Sequence, residues 1–193
     1  MFCFNKSEGY GEKTVPKLTW GLVIPHTIVS PGASSFDKTT NEYRYGLEMA
    51  EALSPIPYAT RNKKGVKGAI LELKEQGVNC SLEPHGNAYN GQSRGSEILV
   101  LKGDKESERA ARHILEDFNE LNPQRVLRHD NGIKWIEKGD RGYTNLKTAK
   151  NLGMRVALLS ELHFIDSSRD FMTVQDQANF WRRHILIGHG TKK

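Results

Sequence analysis

Short apolar runs separated by stretches with helical periodicity constrain this chain more than any other feature. The runs fall at 20–24, 56–60, 78–82, 97–102 and 156–159. Between them, Tyr45, Met49 and Leu53 recur every four residues, and Val66, Ala69, Ile70 and Leu73 follow an i, i+3, i+4, i+7 stripe. Ala110, Ala111, Ile114, Leu115, Phe118 and Leu121 give the clearest amphipathic helix, and Val174, Ala178, Trp181 and Ile185 a closing one. Apolar runs this short are too brief for buried helices and suit buried strands. Punctuation agrees: the first helix stops before Pro55, Gly77 follows the second, Asn122-Pro123 ends the third, and Thr173 to Asp176 open the last as a capping pattern. Pro57 either weakens the strand reading of its run or places it at an edge. Strands alternating with helices predict an α/β fold with a largely parallel sheet. Only 124–151, punctuated by Gly132, Gly139 and Gly142, gives no clear element.

A chain of 193 residues with 37% hydrophobic content can bury one sizeable core, so a single domain over 19–193 is expected, preceded by an irregular arm over 1–18. The net charge of +5 favours polyanions. Yet the basic residues are scattered, and the small clusters at 61–64 and 181–183 carry no nucleic-acid motif, so nucleic acid is not an expected partner. Cys3 and Cys80 are too few for a disulfide scaffold or a Cys-rich zinc module. No apolar run at the N-terminus reads as a signal peptide, and none approaches the roughly 20 residues of a membrane span. Residence in a cytoplasm, without stable membrane insertion, is the expectation.

Three of the strands run into ionisable side chains: 20–24 into Pro25-His26, 78–82 into Glu83-Pro84-His85, and 156–159 into Ser160-Glu161. Sites in open α/β sheets lie outside the carboxyl ends of strands, so His26, His85 and Glu161 are expected along one edge. Glu42 falls in the first turn of the first helix. His26, Glu42 and His85 meet the three-ligand count of a hydrolytic zinc ion that keeps one position for water. Glu161 is then the candidate carboxylate for moving that water's proton. Each has a plainer reading. Thr39-x-x-Glu42 equally fits a capping box, and either histidine suits an ordinary loop. Glu161 is harder to dismiss, because a carboxylate ending an apolar run is costly to bury without a partner. Glu83, out of phase with Leu82, reads either as an acceptor that fixes a ligand imidazole or as a solvated strand-end charge.

Taken together, Ile24-Pro25-His26-Thr27, Pro31-Gly32-Ala33, Asn41-Glu42-Tyr43, His85-Gly86-Asn87-Ala88, Gly95-Ser96-Glu97 and Glu161-Leu162-His163-Phe164 resemble, in order and spacing, the zinc-dependent N-acetylmuramoyl-L-alanine amidases of phage endolysins and bacterial cell-wall enzymes. The resemblance runs from about residue 19 to 188. It implies a twisted, mostly parallel sheet with helices on both faces, and one Zn2+ per chain held by His26, Glu42 and His85. It implies Glu161 as the catalytic carboxylate, and hydrolysis of the amide between the lactyl group of N-acetylmuramic acid and L-alanine of peptidoglycan. Asn87 and Arg94, in the loop after the second histidine, and His163, beside Glu161, are the candidate substrate contacts. The chain departs from the family in having Pro25 before its first histidine, where glycine is usual, and His163 in a commonly apolar or small position. A monomeric single domain without an added wall-binding module suits an endolysin released from the host cytoplasm onto a thin wall. The alternatives are a zinc peptidase or carboxypeptidase cutting another amide, and a non-catalytic wall-binding module.

Overall fold

Two central strands organise the protein, and both run well past their apolar residues. In the computed structural model, which describes residues 17–185, β1 (Trp20–Ile24), β2 (Tyr58–Thr60), β3 (Cys80–Asn87), β4 (Glu97–Leu101), β5 (Ile133–Ile136) and β6 (Val156–Phe164) form one sheet in the order β2-β1-β3-β6-β4-β5. Every pairing is parallel except β4 with β6, which is antiparallel. The helices are α1 (Glu42–Ala52), α2 (Gly65–Glu75), α3 (Lys105–Leu121), α4 (Tyr143–Asn151) and α5 (Val174–Ile185). The α/β architecture and the largely parallel sheet are as the sequence predicts. The arm expected over 1–18 lies outside the described residues apart from 17 and 18.

Alternation along the strands sorts the side chains into two cores. Leu22, Ile24, Leu82, Ile98 and Leu158 face α1, α3 and α5, together with Tyr45, Met49, Phe118 and Trp181. Val23, Leu99, Ala157 and Leu159 face α2 and α4, with Ile70, Leu73 and Leu146. Helices therefore cover both faces. β2 lies at the sheet edge, where the Pro57 that precedes it costs no ladder bond. At the start of α5, Thr173 Oγ1 accepts the Asp176 N–H at 3.1 Å, the expected cap.

The sequence reading misses two elements. β5 has four residues and leaves Trp135 36% exposed. α4 is preceded by Gly142 as its N-cap, which has φ 88° and offers no side-chain bond, and it buries only Leu146 and Ala149. Neither carries enough apolar periodicity to be recognised.

β3 and β6 correct the reading in another way. Their predicted ends are Leu82 and Leu159, with His85 and Glu161 just beyond. Instead both residues lie inside the strands, because the polar halves pair with each other: Glu83 opposite Leu159, Pro84 opposite Ser160, His85 opposite Glu161. The register then slips. Asn87 pairs with Phe164, so Leu162 and His163 together stand against Gly86 alone, a bulge in β6. Gly86 is required there, since a Cβ would lie 2.6 Å from Ile165 Cβ.

Candidate metal centre and the carboxylate pair beside it

The carboxyl ends of β1, β3 and β6 meet the N-terminus of α1 at one edge of the sheet. His26, two residues past β1, adopts φ 61°, a left-handed conformation uncommon outside glycine, asparagine, aspartate and histidine. Glu42 opens α1 but does not cap it. Asn41 is the cap, its side-chain oxygen accepting the Arg44 N–H at 2.9 Å, which removes the capping-box reading of Thr39 and Glu42. The Glu42 carboxylate turns inward and is only 4% exposed. Its Oε2 accepts the Ala33 N–H at 2.8 Å and lies 3.0 Å from His26 Nε2, while its Oε1 lies 2.9 Å from His85 Nδ1. The His26 and His85 rings stand edge to face, 5.1 Å between centroids. Burial alone would raise the Glu42 pKa, but the bonds to both imidazoles outweigh it and hold the group far below the usual carboxylate range. Glu42 is a carboxylate at any working pH.

Two observations test whether these residues suit a cation. His26 Nε2 is buried and faces Glu42 Oε2 at 3.0 Å as an ion-pair contact, without a hydrogen bond of good geometry. His85 touches a carboxylate with each nitrogen, Glu42 at 2.9 Å and Glu83 at 2.6 Å. Carboxylates only accept, and a neutral imidazole donates once, so a cation between His85 Nδ1 and Glu42 satisfies what a single proton does not. Both observations fit a metal ion, and the donor set of two imidazoles and a carboxylate is the one zinc takes. Glu83, on the same strand face as His85, fixes the ring from its far side, and Asn145 Nδ2 donates to Glu83 Oε1 at 3.2 Å. Arg61 is in direct contact with Glu83 as well. The partner reading of Glu83 is the one its geometry supports.

Gly32 is the tightest point. It has φ 79°, and a Cβ there would lie 2.5 Å from Glu42 Oε2 and 2.7 Å from His26 Nε2. We expect Gly32→Ala to drive the Glu42 carboxylate and the His26 ring apart, with the secondary structure retained. Unchanged positions of both side chains in a G32A crystal structure would contradict this packing.

Glu161 lies one strand from His85, in register with it, and is 2% exposed. Directly opposite on the other side is Glu97, 0% exposed. Because β4 runs antiparallel, its first residue reaches the edge at which β3 and β6 finish. Like charges opposite one another are destabilising, and two arginines, an imidazole and an amide gather round them. Arg141 Nη2 donates to Glu161 Oε1 at 2.7 Å; Arg128 Nη1 donates to Glu97 Oε1 at 2.5 Å; His129 Nε2 lies 2.7 Å from Glu97 Oε2; Asn87 Nδ2 donates to Glu97 at 3.2 Å. The Glu161 pKa is pushed up to about 7, first by burial, with Arg141 pulling down and Glu97 pushing up. A carboxyl that titrates near neutrality suits proton transfer.

The structure thus brings His26, Glu42, His85 and Glu161 together. Asn87, 8% exposed, joins the same edge through Glu97, and Arg94 is exposed on the loop beyond. His163 is different. The sequence reading puts it among the substrate contacts, but the bulge turns it with Leu162 into the α1 and α5 core, where it is 0% exposed, with Gln177 Nε2 2.5 Å from Nδ1 and the Tyr45 ring 5.1 Å away. Burial holds its pKa down to about 3, so it is neutral and reaches neither solvent nor Glu161. Glu97, Arg128, His129 and Arg141 gain their place here from the antiparallel strand and from the stretch without clear periodicity.

No protein-family model matches the sequence, and no curated protein does. Solved structures do. AmiC2, an N-acetylmuramoyl-L-alanine amidase of Nostoc punctiforme, superposes with a TM-score of 0.66 at 12% identity, over 89% of this chain and 97% of that one. The catalytic domain of the CD27L endolysin, which targets Clostridia difficile, gives 0.62 at 20% identity over 88% and 97%. The catalytic domain of CwlV, an amidase of Bacillus (Paenibacillus) polymyxa, gives 0.61 at 13% identity over 88% and 99%. Over most of its length, this chain has the fold of the N-acetylmuramoyl-L-alanine amidases.

Proposed function

We propose that the chain, through one catalytic domain spanning 19–193, hydrolyses the amide between the lactyl group of N-acetylmuramic acid and L-alanine in peptidoglycan. The observation that carries this is the His26, Glu42 and His85 cluster with Glu161 in register beside His85, on the fold shared with those amidases. His26, Glu42 and His85 would hold one zinc ion, which supplies Lewis acidity, polarising the scissile carbonyl and making a water more acidic. The rest falls to side chains. Ionised Glu161 takes the proton of the attacking water and returns it to the leaving nitrogen of L-alanine. Arg141 steadies the ionised form, and Glu97 opposes it, keeping the proton affinity near that of the solution. Glu83 orients His85. Asn87 and Arg94 are the proposed substrate contacts, and Ile28, Val29 and Tyr89, on the loops after His26 and His85, are exposed apolar side chains. A role as an endolysin, made in a host cytoplasm and acting as a monomer on the wall, draws support from the likeness to the CD27L catalytic domain. Among the described residues no helix is long and apolar enough to cross a membrane.

The neighbours of Glu161 make the pH dependence testable. Removing a negative neighbour lowers a carboxyl pKa and removing a cation raises it. The acid limb of kcat/KM should therefore move to lower pH in Glu97→Gln and to higher pH in Arg141→Ala. Shifts of the same sign, or none, would contradict Glu161 as the base. The reaction itself is tested on purified peptidoglycan. Chelator-sensitive clearing that frees stem peptides with L-alanine amino termini and leaves the glycan intact is expected. Cuts confined to bonds within the peptides would reassign the protein to another amide.

A further inference from the structure

We propose that His113, Asp117 and His184 form a second divalent-metal site, one that ties α3 to α5. It shares no residue with the centre at the strand ends and does not rest on the proposed activity. His113 and Asp117 are four residues apart on α3 and so share a face, one turn from each other. His184 comes from the last turn of α5. Aromatic packing brings the two helices together at this place: Phe118 meets Phe180 with centroids 5.0 Å apart, Phe180 meets His184 at 4.8 Å, and the His113 and His184 rings stand at 85°. One ligand atom from each of the three residues lies within 4.8 Å of the others. His184 Nε2 is 3.8 Å from Asp117 Oδ2. That is too long for a hydrogen bond, and slightly longer than the about 3.3 Å between two donors of a tetrahedral zinc ion, given Zn–N bonds of about 2.0–2.1 Å.

Exposure favours occupancy as well. The His184 side chain is 3% exposed, whereas Asp117 is 43% exposed, so one arm is fixed in the core and another faces solvent. An ion can enter from the Asp117 side, and water can complete its shell. Two imidazoles and a carboxylate suit zinc and the other first-row divalent ions rather than calcium or magnesium. Since α5 packs on α1, which carries Glu42, a bound ion would brace the helical layer behind the first centre. Its expected role is stability.

The test is zinc binding by chelator-stripped protein: the native chain, Asp117→Asn and His113→Gln, and the same two changes in a His85→Ala background. Asp117 is solvent-facing, so D117N should fold as the native chain does. Each of D117N and H113Q should bind one zinc fewer than its parent. Zinc should also raise the thermal midpoint of H85A but not of H85A/D117N. Because the readout is a difference of one equivalent, it holds whether or not the first centre takes zinc. Unchanged stoichiometry in both variants, or equal zinc-dependent stabilisation of H85A and H85A/D117N, would overturn the second site.

Discussion

Glu161→Gln is expected to clear peptidoglycan about 10²–10⁴-fold more slowly than the native chain, the usual cost of losing a general base, while binding zinc as tightly. Glu161 is not among the proposed ligands, and glutamine keeps its size and its ability to meet Arg141. The same change should stabilise the metal-free fold. Burial and Glu97 raise the carboxyl from 4.5 to about 7 despite Arg141, so the folded chain holds this proton more tightly than the unfolded one. Folding stability is then lost as pH rises from about 4.5 to about 7, and the full penalty stands above that range. A neutral amide in its place carries no such penalty. At pH near 8, metal-free E161Q should be more stable by on the order of 3 kcal/mol, and the gap should close toward pH 4. A variant that clears normally, or one that melts below the native chain at pH 8, would contradict a buried, strained base.

His85→Ala should remove the metal. A change in an outer-shell partner costs about 10–100-fold in affinity, and loss of a ligand should exceed that. It also leaves the buried Glu42 and Glu83 without the group they share. Each keeps other partners, Ala33 and His26 for Glu42, Asn145 and Arg61 for Glu83, so the cost to folding should stay near 1–3 kcal/mol, about that of an unpaired buried polar group. Equilibrium dialysis with zinc and a denaturant titration measure both. Native zinc affinity in H85A would remove His85 from the ligand set.

What the sequence reveals of this protein follows its apolar periodicity. β1, α3 and the capped start of α5 are visible because burial there is repeated at regular intervals. The polar halves of β3 and β6 are not, since they stay in the sheet by pairing with each other, and no hydrophobic pattern records that. His26, Glu42, His85 and Glu161 are legible as residues of the right type near strand or helix ends. Glu97 is harder to find: it begins a strand, and only the reversed direction of β4 brings it to the edge that holds His85 and Glu161. His163 shows the opposite error. Two residues from Glu161, it would share its face in a regular strand, but one extra residue in β6 sends it into the core.

The central claim is that His26, Glu42 and His85 hold one ion. Anomalous diffraction at the zinc edge from zinc-loaded crystals tests it most directly. A peak in contact with His26 Nε2, His85 Nδ1 and the Glu42 carboxylate, with Glu83 still on His85 Nε2, is the predicted result. Zinc-loaded crystals with no peak among these three side chains, or with the ion on His85 Nε2 in place of Glu83, would contradict it.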